Sequence, residues 1–154
     1  MPASPKKQGL MKVTHLDGIK AICESYIAKV TELERNRKPA DGLFGIGSKP
    51  ADDPCHDRFA ADMESALSTL AGDVLSSQEV CGILSYVYHL PCEHKEPVSI
   101  YWMLCAVHGY TLPLIHTLDA TDRKLLCSRY ASDFRAWERL PVQKQVYNAL
   151  KKSS

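Results

Sequence analysis

Charge of one sign is what this chain has least of. Its 19 Lys and Arg face 18 Asp and Glu, a formal net charge of +1, so the molecule as a whole has no electrostatic pull on a polyanion. Aromatic groups, three Phe, two Trp and seven Tyr, make up 8% of the chain, and a basic groove formed by its two ends lacks the interleaved aromatics of a nucleic-acid stacking platform. Nucleic acid is therefore not an expected partner. Disorder of the chain as a whole is not indicated either. Of 154 residues, 45% are apolar and 24% charged, enough to build an ordinary core without disulfide staples. The chain also lacks an apolar run behind the basic start MPASPKKQGLMK, so no secretory signal is expected. No lipidation is expected at its other end, where Lys151-Lys152-Ser153-Ser154 matches no such signal, and the chain has no H-E-x-x-H pair.

One run lacks charge altogether. The 21 residues from Val98 to Leu118 contain no Asp, Glu, Lys or Arg and match a membrane span in length. His108-Gly109 and Pro113 interrupt the run, and Ser99, Thr111, His116 and Thr117 dilute it, so two buried helices joined by a tight turn are expected instead. No membrane association is expected. The six cysteines do not change the class either. Cys23, Cys81, Cys105 and Cys127 fall on apolar helical faces, where a free thiol behaves as a small hydrophobe. That usage fits a reducing compartment and a cytoplasmic location.

What is present is helical periodicity. Leu16, Ile19, Ile22, Cys23, Tyr26, Ile27, Val30 and Leu33 repeat at three and four within a helix expected over Lys12–Lys38, closed by basic groups and Pro39. A second helix is expected after an Asp53 N-cap with Pro54 at its first position, carrying Phe59, Met63, Ala66, Leu67 and Leu70 and ending at Gly72. Ser76 with Glu79 is a capping box before Val80, Ile83, Leu84, Val87 and Tyr88, with Pro91 as the stop. Pro97 opens a helix capped by Gly109, and Thr111 can cap a short one over Leu112–Leu118. Asp119 with Asp122 opens another through Leu125, Leu126, Arg129 and Tyr130, and Pro141 begins the last. The fold class is thus all-α: an irregular single-domain bundle of six to seven helices over residues 12–152. A disordered tail is expected at 1–11, and one Gly/Pro-rich loop at 39–54. Tyr101, Trp102, Phe134, Trp137 and Tyr147 are expected in packing roles. The starts at Leu75–Glu79 and Leu118–Asp122 resemble each other 43 residues apart, a faint echo of a paired-helix repeat.

Charge is uneven along the chain. Asp41–Glu79 holds eight acids against Lys49 and Arg58, which reads as acidic and basic helices lying against one another. Chemistry has few places to sit. In Asp41–Arg58, Gly42 to Lys49 superficially resembles a phosphate loop, but Pro50 follows Lys49 and a helix precedes it, whereas phosphate cradling needs Gly-Lys-Ser/Thr opening a helix after a strand. Leu43, Phe44 and Ile46 remain as an apolar tab on a glycine scaffold, able to cover a core edge or insert into a partner. Cys55, in a first helical turn beside His56, faces free backbone N–H groups that favour a thiolate. His56 and Arg58 would lower its pKa, while Asp52, Asp53 and Asp57 would raise it.

Cys55-His56 and Cys92-Glu93-His94 together offer four soft ligands, but adjacent and one-apart pairs bite a metal awkwardly. No metal and no other cofactor is expected. His108 and His116 are expected to bond free carbonyls near helix ends. The functional expectation is a non-catalytic protein-interaction or adaptor module. Its candidate binding residues are Leu43, Phe44, Ile46, Cys55 and His56, and its partner is another protein or a second copy of the chain. The alternative is a small thiol-dependent enzyme or a redox or metal sensor centred on Cys55 and His56.

Overall fold

A computed structural model describes residues 15–36 and 53–152. The proposed tail at 1–11 lies outside them, as does the loop up to residue 52 with Leu43, Phe44 and Ile46. All regular structure among the described residues is helical. Six helices of nine residues or more are α1 (His15–Arg35), α2 (Asp53–Ala71), α3 (Ser77–Glu93), α4 (Val98–Ala106), α6 (Ala120–Asp133) and α7 (Pro141–Lys151), and α5 (Leu112–Ile115) is a single turn. Two 3-10 segments, Val107–Thr111 and Ala136–Glu138, complete the path.

The stripes read from the sequence are the buried ones. Ile19, Cys23, Tyr26 and Val30 on α1 face Phe59, Met63, Leu67 and Leu70 on α2, and these join one continuous core with the later helices. Burying such side chains is worth about 1.5–3 kcal/mol each before the entropy of ordering them is set against it. Both anticipated caps on α3 and α6 are present. The Ser76 hydroxyl accepts the Glu79 N–H while the Glu79 carboxylate accepts the Ser76 N–H, and the Asp119 carboxylate accepts the Asp122 N–H at 2.8 Å. The two helix starts are also tied to each other: the Ser77 hydroxyl donates to Asp122 at 2.6 Å and accepts the Asp119 N–H at 2.8 Å. Their far ends meet where His89 lies 3.0 Å from Asp133. α3 and α6 therefore run parallel and in step.

The uncharged stretch makes that parallel pairing possible by supplying the crossover. It runs as α4, the 3-10 segment and α5, and the 3-10 segment packs between α2, α3, α4, α5 and α7. Its 18-residue core Val98–Ile115 has a mean hydropathy of 1.4. Gly109 is not the C-terminal cap expected of it. α4 ends at Ala106, and Gly109 sits inside the 3-10 segment where a Cβ would come within 2.9 Å of Val142 Cγ2 on α7. Close approach of two elements, rather than a helix stop, requires glycine there.

Three further expectations are corrected. Pro91 does not stop α3, which continues to Glu93 with Pro91 buried inside it. A proline there removes the N–H that would reach the carbonyl four residues back and crowds that carbonyl with its ring. That carbonyl, Val87 C=O, is instead met by His108 Nε2 at 3.1 Å. Thr111 does not cap α5 with its side chain; its hydroxyl donates into the core, to the His108 carbonyl at 2.7 Å. Among the proposed packing aromatics, Phe134 is buried, but Trp102 and Trp137 are 48% and 76% exposed, and Leu125 on α6 is 44% exposed.

Candidate functional site

Two places bring polar chemistry together, and a third is buried too deeply to serve. The buried one centres on His108. Because the Val87 carbonyl can only accept, His108 Nε2 carries the proton, and Nδ1 then accepts from the Tyr130 hydroxyl at 2.9 Å. The Tyr88 hydroxyl donates to Thr111 Oγ1 at 2.7 Å, since the Thr111 proton goes to the His108 carbonyl. Every ring nitrogen and hydroxyl of the set is satisfied, the condition under which a buried polar network is tolerated. Burial lowers the His108 pKa from 6.5 to about 3, so the ring is neutral and structural. The expectation that it bonds a free carbonyl holds, although at mid-core and not at a helix end.

The first accessible place is the groove between α1 and α2, which the sequence-selected Cys55 lines and which His56 adjoins through Tyr26. Tyr26 stacks on Phe59 with ring centres 4.1 Å apart and planes 11° apart. Its hydroxyl lies 2.6 Å from His56 Nδ1, donating to it in the tautomer that carries the ring proton on Nε2. Cys55 is half-buried against the core edge. Together with Ile22, Lys29 and Arg58, Tyr26, Phe59 and Cys55 line a groove of about 520 Å³. Its floor is apolar and aromatic, and its rim carries Lys29, Arg58 and Asp62. The hydrogen bond places the His56 ring on Tyr26 across the helix pair, which is not the geometry of a base drawing a proton from its chain neighbour Cys55.

The second place is at the joined C-terminal ends of α3 and α6. His89 and Cys92, three apart and so on one helix face, meet Asp133, with one donor atom from each lying within 4.8 Å of the others. Burial first, then the Asp133 charge, push the Cys92 thiol up to about 11. Among the described residues this is the one group of three or more metal-competent side chains; Cys55, His56 and His94 do not assemble with Cys92. A cleft of about 340 Å³ lined by Ser85, His89, Arg129, Ser132 and Asp133 opens beside it.

All six thiols are free. Desolvation pushes Cys23 and Cys105 up to about 12 and also raises Cys81 and Cys127, which fits their expected role as core-packing groups. Sequence reasoning passed over Tyr26, His89 and Asp133. The i,i+3 pair His89 and Cys92 was legible as one face, but Asp133 joins it only through the pairing of α3 with α6, for which the 43-residue echo was the available signal. Leu43, Phe44 and Ile46 fall outside the described residues. Comparison with protein-family models, with curated proteins and with solved structures found no match to the chain.

Proposed function

We propose that the protein is a non-catalytic interaction module that receives an apolar segment of a protein partner in the α1–α2 groove. The observation that carries this reading is the groove itself: an aromatic floor of Tyr26 and Phe59 beneath a charged rim, the arrangement in which an aromatic-anchored binding hot spot is built. On that rim Arg58 lies 4.0 Å from Asp62, and Lys29 is the further cation among the described lining residues, so the fitting partner presents apolar anchors with an acidic residue beside them. The hydrogen bond of His56 to Tyr26 supports a positioning role for the pair. It fixes the ring that forms the groove floor.

The test is site-specific photocrosslinking in cells. A crosslinking side chain at Arg58, 80% exposed beside the groove, should give one discrete adduct with another protein. The same group at Lys124, exposed on α6, should not give that adduct. Ile22→Asp should abolish it while leaving the thermal midpoint within a few degrees. Identical patterns from positions 58 and 124, or an adduct indifferent to Ile22→Asp, would remove the groove as the binding surface.

A further inference from the structure

We propose that His89, Cys92 and Asp133 form a divalent transition-metal site, suited to zinc, at the joined C-terminal ends of α3 and α6. An imidazole, a thiol and a carboxylate are the three ligand types zinc takes, and three protein ligands leave the fourth tetrahedral position to water. The donor atoms lie within 4.8 Å of one another. Zinc bonds of about 2.0–2.3 Å hold ligand atoms roughly 3.3–3.7 Å apart, so side-chain rotation of about an ångström closes the set. An ion pair alone accounts for His89 and Asp133 at 3.0 Å. It does not account for the thiol converging on the same point from the next turn.

The backbone favours a cation there as well. Because α3 and α6 are parallel, the negative ends of both helix dipoles point at the cluster, where a positive charge is stabilised. Glu93 adds negative charge near the thiol, and Lys95 offsets part of it. His89 is half-exposed and Asp133 is 22% exposed, so an ion has a path in from solvent through the cleft that both residues line. On binding, Cys92 coordinates as the thiolate and its proton passes to solvent.

Cobalt titration of the full-length metal-free protein tests this. One equivalent of Co²⁺ should produce a thiolate-to-cobalt charge-transfer band with the visible absorption of a tetrahedral site, and Zn²⁺ should bleach both. Cys92→Ala should abolish the charge-transfer band, whereas Cys55→Ala and Cys127→Ala should keep it. His89→Gln and Asp133→Asn should each weaken zinc binding at least about tenfold, the loss seen when even an outer-shell partner is removed. His89 is exposed, so its variant keeps the fold and the question answerable should Cys92→Ala unfold. Absence of the band at one equivalent, its persistence in Cys92→Ala, or zinc affinity unchanged in both His89→Gln and Asp133→Asn would overturn the site.

Discussion

A single buried histidine contributes to how this protein answers to acid. His108 is neutral in the folded chain with its pKa lowered to about 3, while in the unfolded chain it takes up a proton near its ordinary value of 6.5. The unfolded state therefore binds more protons between those values, and the stability from keeping the ring neutral is complete above about 6.5 and is lost as the pH falls toward 3. The slope is on the order of 1 kcal/mol per pH unit. Urea midpoints measured from pH 7 to pH 4 should fall in the native protein. In His108→Gln they should start lower at pH 7 but fall less steeply, and equal slopes would show that carboxylates alone carry the acid response. The same ring explains why Pro91 is tolerated inside α3. Proline leaves the Val87 carbonyl without its helical donor, and His108 Nε2 supplies one at 3.1 Å. His108→Leu should then cost about 1–3 kcal/mol by orphaning that carbonyl and the Tyr130 hydroxyl. In a Pro91→Ala background the loss should be smaller, because the backbone N–H restored at position 91 can reach the Val87 carbonyl. A double-mutant cycle giving no coupling between positions 91 and 108 would break this account.

At the scale of elements, the 3-10 segment Val107–Thr111 fits between five helices because one residue in it has no side chain. A methyl at Gly109 would lie 2.9 Å from Val142 Cγ2, and a β-branched side chain on a helix has little rotamer freedom with which to yield. Gly109→Ala should therefore destabilise by about 1–3 kcal/mol through overpacking. Val142→Ala in the same chain should return part of the loss, and full additivity of the two changes in chemical denaturation would place the strain elsewhere. The sequence is legible where the signal is local. The Ser76–Glu79 box, the Asp119 cap and the stripe Ile19, Cys23, Tyr26, Val30 each rest on residues within a few turns of one another. Gly109, Pro91 and Thr111 mislead because each resembles a helix boundary in isolation. What decides the roles of the first two is a residue far along the chain: Val142 for Gly109, His108 for Pro91. The deciding partner of Thr111 is local, yet its hydroxyl turns to the carbonyl of His108 instead of capping α5.

At the scale of the whole molecule, parallel pairing of α3 and α6 has consequences that no single element contains. It brings Ser77 to Asp122, Tyr88 to Tyr130 and His89 to Asp133, and so assembles the candidate metal ligands from residues about 44 apart. Such a pairing requires a long crossover, here the uncharged α4–α5 stretch, whose buried residues in turn pack against α2. The α1–α2 pair is thereby joined to the later helices through one core, which predicts that all of them unfold together. Two signals can check it, because Trp102 and Trp137 are the chain's two tryptophans and both lie after Pro97, whereas α1 and α2, of 21 and 19 residues, contribute a large share of the helical circular dichroism. Thermal melts followed by tryptophan emission and by ellipticity at the helical minimum should share one midpoint. Leu67→Ala, at a fully buried position on α2, should lower both by the same amount, with a cost of about 2–5 kcal/mol. An early loss of ellipticity that tryptophan emission does not follow, deepened by Leu67→Ala, would mean that α1 and α2 are a separate folding unit. The α1–α2 groove could then be remodelled without disturbing the α3–α6 cluster.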